Sequence, residues 1–285
     1  MSKFGHMQKK NGPLISITIP TYNSEETINL CLDSIFQQCD TKTRNSIEVI
    51  VVDNCSRDKT EEICKRYDCR FLSTRCSKAE AREIGFLNST GKYVLILDSD
   101  MCMERGILKE LIGYAEDSNF DAVIINEEFL GESFFHIART LEKKCYINAC
   151  EIQSPRFYKR QVLEKVNWKR IDDGWDEMEI FLEAQRASPS MQIHASNKKI
   201  WLIANPLDIK KKLHHGKYFK MYMEKYDSQV VQRQFSLSYR MKLLTRSLKI
   251  SLPYGSAVLL LKFLDFLFFY IGRISSYIGK ETKNN

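Results

Sequence analysis

LISITIPTYNSEETINLCLDSIFQQ, Leu14–Gln38, changes character part-way along. Its first seven residues read as a buried strand, stopped by Pro20, which has no N–H to give a ladder. From Ser24 onward the apolar residues Ile28, Cys31, Leu32, Ile35 and Phe36 fall on one face of a helix, with Asn23 or Ser24 as its N-cap. The unit then repeats. IEVIVVD (Ile47–Asp53) is a second buried strand, followed by a helix through KTEEICKRY behind Ser56 or Asp58. CRFLS is a short third strand, SKAEAREIGFLNST a helix ending near Gly91, and YVLILD (Tyr93–Asp98) a fourth strand. Strands that alternate with helices pair in parallel through right-handed crossovers, so an α/β sheet with covered faces is expected.

Downstream, GILKELIGYAED reads as helix, DAVIINEEFL as a strand of the same sheet, and SFFHIARTLEKKCYINACE as helix. SPRFYKRQVLEKV holds a strand and a short helix, DGWDEMEIFLEAQRAS a helix ending before Pro189, and KKIWLIANP a late strand. This places a first, catalytic domain at 14–207. Residues 1–13 are polar and expected to be disordered, without the apolar core of a signal peptide.

The chain has 285 residues, 44% hydrophobic and 28% charged. That suits one large domain, or one with an appendage, and excludes a protein embedded in membrane throughout. The net charge of +7 is unevenly spread: between Trp201 and Gly255 eleven Lys and Arg oppose three Asp and Glu. Such a segment suits an anionic surface, membrane or polyphosphate, and no nucleic-acid partner is expected. The nine cysteines include no CxxC pair, and Cys145 and Cys150 lack a second ligand pair. Reduced, mostly buried thiols in a cytosolic setting are expected rather than zinc.

Residues 208–285 form a separate region. It reads as basic helix up to a break at Pro253-Tyr254-Gly255, then as the apolar run SAVLLLKFLDFLFFYIGRISSYIGK. The run is long enough to cross a bilayer, but Lys262 and Asp265 interrupt it, and charges at a bilayer centre are costly. A helix lying on the membrane surface is expected, with closure of the core or of a dimer interface as the alternative. His214-His215, after Lys210-Lys211-Lys212, reads either as a flexible loop closing over a diphosphate or as a solvated basic loop. Trp175 and Trp201 stack on a sugar or pack in the core.

Ligands of an open parallel sheet sit beyond the carboxyl ends of its strands. Here those ends are Pro20-Thr21-Tyr22-Asn23, Asp53-Asn54 and Asp98-Ser99-Asp100. No Gly-rich turn follows the first strand, so neither a dinucleotide fingerprint nor a P-loop is present. Two carboxylates one residue apart after a buried strand suit a hard cation, Mg²⁺ or Mn²⁺, that neutralises nucleotide phosphates.

ISITIPTYNSEETINLCLDSI, IEVIVVDNCSRDKT, AREIGFLNSTGKYVLILDSD and the later acidic helix, in this order, resemble the glycosyltransferase family 2 enzymes of GT-A fold. The resemblance covers about Leu14 to Ala187. It implies a Rossmann-like mixed, mainly parallel sheet with helices on both faces, and a nucleotide-sugar donor bound in the first half. Carried over by position, Pro20, Thr21 and Tyr22 would line the base and ribose pocket, and Asp53 would accept from a base N–H. Arg82 and Ser99 would approach the nucleotide. Asp98 would contact ribose or a metal-bound water, and Asp100 would ligate the metal, with Asp98 a second candidate ligand. The family's catalytic base is the Asp of a Glu-Asp pair. Here the pair is reversed, so Glu177 stands in the base position with Asp176 beside it. N-terminal helix charge alone also explains acids there. The implied activity is inverting transfer from a UDP-sugar, or alternatively a GDP-sugar. The basic, apolar C-terminal region adds a lipid-linked acceptor at the cytoplasmic membrane face. Asn54 and Cys55-Ser56 depart from the family's second Asp and Gly-Ser. A soluble or polysaccharide acceptor, a non-catalytic binding protein and an oligomer stay open.

Overall fold

All seven residues of β1 (Ile15–Thr21) are buried, because a parallel strand flanks each side. β2 (Ile47–Asp53) matches it residue for residue from Ile15↔Ile47 to Thr21↔Asp53, and β4 (Tyr93–Ile96) pairs with its first half. The computed structural model of the chain describes residues 12–116, 119–147, 149, 151–226 and 229–281. Of the tail expected to be disordered, 1–11 lie outside the described residues, as does Cys150.

The sheet has eight strands in the order β3-β2-β1-β4-β7-β6-β8-β5. β3 (Arg70–Ser73) extends the parallel half beyond β2. β7 (Phe157–Lys159) runs antiparallel to both β4 and β6 (Ala122–Phe129), and β8 (Ile193–Leu202) runs parallel to β6. β5 (Met101–Met103) closes the far edge, antiparallel to β8. It follows that the carboxyl ends of β1, β2, β3, β4, β6 and β8 share one edge with the amino ends of β5 and β7.

Two of these elements differ from the sequence reading. Met101–Met103, which that reading assigns to no strand or helix, pairs with Leu202–Ile200. β8 begins at Ile193 rather than Lys198, because its first half follows β6 up to a bulge between Ile124 and Asn126. The link Leu97–Asp100 thus joins β4 to a strand four places away in the order. Four inter-strand spacings of about 4.8 Å slightly exceed the reach of such a link at about 3.6 Å per residue, so the sheet must curl.

The helices of the first half are shorter than their apolar periodicity predicts. α1 (Ile28–Phe36) starts four residues after Ser24, and its N-cap Thr27 makes no side-chain cap. The Ser24 N–H instead donates to Thr60 Oγ1 at 2.8 Å, and its carbonyl accepts from Thr27 and Ile28. Asn23, at φ 46°, makes the turn that permits this. α2 (Thr41–Ser46) is capped by Asp40. α3 (Thr60–Cys64) is one turn, with Asp58 accepting from the Thr60 N–H just before it. α4 (Lys78–Leu87) carries a full capping box between Ser77 and Glu80. α5 (Ile107–Glu116) and α6 (Phe134–Cys145) flank β6, α7 (Arg160–Leu163) follows β7, and α8 (Asp176–Ala187) is the acidic helix.

The C-terminal region folds back onto this body as α9 (Ile209–Lys225), α10 (Gln229–Phe235), α11 (Leu237–Ile250) and α12 (Leu252–Glu281). Lys210–His215, read above as a loop, is the first part of α9. The helix break falls at Ser251 rather than at Pro253, because proline is tolerated in a helix's first turn. α9 and α12 approach closely through glycines. A Cβ on Gly216 would lie 2.0 Å from the Phe269 carbonyl oxygen, and one on Gly272 2.1 Å from that of Leu213. Ala257, Val258 and Leu261 of α12 pack with Ala138 and Leu141 of α6 and Leu243 and Leu244 of α11. Lys262 and Asp265, expected at a membrane surface, point into the protein, where ion partners offset their burial. No helix among the described residues is long and apolar enough to cross a membrane.

Candidate active site

The shared strand edge opens on a cavity of about 770 Å³, roofed by α8, α9 and the start of α4. Its walls are unusually charged. Lys78, Asp98, Asp100, Glu127, Arg156 and Glu177 line one end. Beneath them lies Arg82, fully buried at its side chain. Its Nη2 donates to Asp98 Oδ1 at 2.8 Å and to Glu177 Oε1 at 2.9 Å, and its Nε to Asp176 Oδ2 at 2.5 Å. One arginine from α4 thereby ties the end of β4 to the first turn of α8.

Arg156, just before β7, completes the cluster. Its Nη2 lies 2.6 Å from Glu127 Oε1 and 3.0 Å from Glu177 Oε2, and its Nη1 3.8 Å from Asp98 Oδ2. Lys78 Nζ stands 3.4 Å from Asp98 Oδ1. Neither Arg156 nor Lys78 is conspicuous in the sequence. The usable signal was an arginine directly ahead of a buried strand in SPRFYK, and a lysine at the first position of a capped helix.

Burial opposes ionisation of Asp98, but Arg82, Lys78 and Arg156 more than offset it and hold the carboxyl well below the usual range. Asp176 is lowered in the same way, burial being outweighed by Arg82 and Lys78. Glu177 is different: burial raises it, Asp98 adds to the rise, and Arg156 and Arg82 compensate only in part. Its side chain is 29% exposed, against 9% for Asp176. Of the reversed pair, Glu177 is therefore the more accessible and the more basic, and Asp176 is held under Arg82.

Asp100 is half-buried at the cavity wall, and its carboxylate makes no hydrogen bond or ion pair among the described residues. Its backbone carbonyl accepts from Ile203 at 2.7 Å, which fixes the turn. Ser99 Oγ lies 3.0 Å from Ser24 Oγ, linking this turn to the end of β1. Among the described residues no three His, Cys, Asp or Glu side chains gather as a metal cage.

Pro20, Thr21, Tyr22 and Asp53 stand together at the ends of β1 and β2, outside the lining of the main cavity. Asp53 accepts from the Ser56 N–H at 2.8 Å, from Ser56 Oγ at 2.5 Å and from Ser73 Oγ at 3.2 Å. The buried Thr21 hydroxyl has no hydrogen-bond partner among the described residues, and Tyr22 is exposed. Trp175 lines the cavity and packs 4.6 Å from the His215 ring, with its indole N–H unpartnered among the described residues. Burial, then Lys211 and Lys212, keep His215 well below its ordinary pKa. Trp201 lies under Lys199 instead, 4.4 Å from the ammonium. Gly174 admits α9 to this wall, since a Cβ there would sit 2.3 Å from that of Tyr218.

A curled, mixed α/β sheet with an acidic turn at its central strand end and an acidic helix opposite is the architecture of a GT-A transferase. The family model described as Glycosyl transferase family 2 matches residues 16–173, more than half of the chain. The chain belongs to that family, and so to the glycosyltransferase class of enzymes. It is similar to Glycosyltransferase GlyA of Streptococcus pneumoniae serotype 4, at 28% identity over 202 residues, covering 60% of this chain and 28% of that protein. The poly(ribitol-phosphate) beta-N-acetylglucosaminyltransferase TarS of Staphylococcus aureus is 32% identical over 118 residues, covering 39% of this chain and 20% of TarS. The chain thus spans well under half the length of these relatives. Among solved structures, residues 1–349 of TarS superpose with a TM-score of 0.50 at 18% identity, over 93% of this chain and 91% of that one. Glucosyl-3-phosphoglycerate synthase of Mycobacterium tuberculosis, in complex with Mn²⁺, UDP and phosphoglyceric acid, gives 0.55 at 20%, over 76% and 80%. These two likenesses concern the fold.

Proposed function

We propose that the chain transfers a sugar from a nucleotide-sugar donor, UDP-linked in preference to GDP-linked, to an acceptor in the cavity, with inversion at the anomeric carbon. The observation that carries this reading is the division of labour among four carboxylates. Asp98 and Asp176 are buried under Arg82, Glu177 pairs with Arg82 and Arg156 but stays partly exposed with a raised pKa, and Asp100 has no cation partner among the described residues. A lone half-buried carboxylate fits a Mg²⁺ or Mn²⁺ that takes its other ligands from phosphate oxygens and water. When bound at Asp100, the cation would offset charge on the leaving diphosphate. Lys78 and Arg156 stand at the same end of the cavity and supply further positive charge to it. Glu177 takes the proton of the attacking acceptor hydroxyl, and burial has prepared it to hold one. Asp53 exchanges its Ser56 and Ser73 bonds for a base N–H, beside the unpartnered Thr21 hydroxyl. The UDP and Mn²⁺ of the mycobacterial complex lend this assignment support.

The acceptor on this reading is lipid-linked and met at the cytoplasmic membrane face. Support comes from α12, whose outward residues Leu260, Phe263, Phe266, Leu267, Tyr270 and Ile271 are exposed. The neighbouring α11 exposes Lys242, Arg246 and Lys249. Apolar and basic exposed residues on adjacent helices suit an anionic bilayer surface. Two experiments test the proposal. In thermal unfolding, UDP with Mn²⁺ should raise the melting temperature of the wild type, and Asp100→Asn should abolish the metal-dependent part. No UDP response in the wild type would refute donor binding. In vesicle flotation, Phe263→Asp/Phe266→Asp should release the protein from anionic vesicles. Release without a change in oligomeric state supports the membrane; loss of a dimer instead would assign the face to a second copy.

A further inference from the structure

Away from Asp100 and Glu177, the same cavity runs between α6, α9, α11 and α12, and its charge balance changes there. Arg139 forms a two-pronged pair with Asp265 at 2.7 and 2.6 Å and a third bond to Glu142 at 2.7 Å. Lys262 lies 2.5 Å from Glu142 and 3.3 Å from Asp265, and Lys212 3.4 Å from Asp265. Arg240 gives its Nε to the Gln234 carbonyl, and its guanidinium lies close to the Tyr146 hydroxyl. Four cations from four helices thus stand against two carboxylates, and three of them, Arg139, Lys212 and Lys262, are ion-paired to one or both. At the rim, Lys210 and Lys211 add to the excess against Asp208 alone. Tyr146, a residue 3% exposed, lines the cavity, and its hydroxyl makes no well-aligned hydrogen bond among the described residues.

An excess of two positive charges in a walled site is costly unless an anion shares it. Lys212 registers the cost: burial, then Lys262, push its pKa down to about 8. The chemistry that answers it is a compact, doubly charged oxyanion with several acceptor oxygens, which lysines, an arginine and a phenol hydroxyl bind together. We propose that Lys212, Arg240, Lys262 and Tyr146 form a phosphate subsite, which holds a phosphomonoester or diphosphate of the acceptor while its hydroxyl faces Glu177. The subsite stands on the local charge balance; its assignment to the acceptor rests on the glycosyl-transfer reading. Arg139 is a positioning residue, bracing Asp265 and Glu142. The subsite shares helix α12 with the exposed apolar face, so a phosphate carried on a lipid and one on a soluble molecule both suit it chemically.

The test is equilibrium titration of inorganic phosphate into the full chain without divalent cation, against a chloride control of equal ionic strength. Wild type should bind saturably. Lys212→Gln and Arg240→Gln should each weaken binding roughly tenfold or more, one charge-assisted contact being worth about that. Lys212→Arg should retain it, and Lys78→Gln, at the other end, should leave it unchanged. No saturable binding beyond chloride in the wild type overturns the subsite, whatever the variants do. Equal weakening by Lys78→Gln and Lys212→Gln overturns its location. The source is read with vesicles of a zwitterionic lipid, with and without a phosphomonoester lipid. Retention only by the latter, lost in Lys212→Gln, identifies a lipid phosphate, and competition only by soluble sugar phosphates identifies a free one. Phosphate binding without transfer activity would leave the subsite standing and remove the acceptor assignment alone.

Discussion

Replacing Arg82 by methionine removes the charge at the centre of the cluster while keeping a side chain of similar length. The consequence follows from what each carboxylate retains. Asp98 keeps Lys78 at 3.4 Å and Arg156 at 3.8 Å, and Glu177 keeps Arg156 at 3.0 Å. Asp176 has no other ion pair within 4.0 Å among the described residues. The variant therefore buries one uncompensated carboxylate, at a cost of about 3–5 kcal/mol. Against a total stability of about 5–15 kcal/mol that is a large fraction, and it should lower the urea midpoint by about 1–2 M at pH 7.5. The pH dependence gives the sharper check. In the wild type the lowered pKa values of Asp98 and Asp176 contribute stability above the ordinary carboxylate range, lost as pH falls through the lowered values. In Arg82→Met only Lys78 still opposes burial at Asp176, so the carboxyl shifts toward its neutral form and the penalty shrinks as pH falls. The difference between variant and wild type should narrow from pH 7.5 to pH 5. Asp176→Asn in the Arg82→Met background should restore much of the loss, since the two side chains are coupled. A loss under about 1 kcal/mol at pH 7.5, or one unchanged at pH 5, would refute the account of Arg82 as a charge keystone.

Three further outcomes are expected. Glu177→Gln should lower turnover by about 10²–10⁴-fold with donor binding retained, and the wild-type rate should rise with pH through the raised pKa of Glu177; Asp176→Asn should act mainly on stability. Glu179 is raised to about 7, by burial first, with the Asp172 N–H and Lys225 lowering it and the Asp172 carboxylate opposing them. It contributes most below the unfolded pKa and loses that contribution as pH rises toward 7. Glu179→Gln should therefore match wild type at pH 5 and exceed it at pH 8 by on the order of 2 kcal/mol in denaturant melts. Gly272→Leu should force α9 and α12 apart at the Leu213 carbonyl, lowering stability by about 1–3 kcal/mol in calorimetry and weakening whatever Lys212 binds.

The sequence by itself determined the parallel half of the fold. Each strand–helix unit from Leu14 to Asp98 is local, and its apolar period and strand-end polar residues announce the sheet edge before any contact is known. Pro20, Asp53, Asp98 and Asp100 lie on that edge, as their positions at strand ends require. Helix starts were misplaced because side chains near them bond across the fold: the Ser24 N–H is satisfied by Thr60, 36 residues away. Tertiary structure alone decided the rest. A hydrophobic period says which side of a strand or helix is buried, not what lies opposite. Hence β5, only three residues long, could not be read apart from β8, and Lys262 and Asp265 read as surface charges until Arg139 and Glu142 were found facing them. The same holds at the site. The sequence ranks Asp176 and Glu177 together, as adjacent residues on one helix. The buried arginine from α4 pairs with both, but it covers Asp176, 9% exposed, and leaves Glu177, 29% exposed, at the cavity wall. The role of a charge depends on its desolvation and its partners, and both are set by residues distant in the chain.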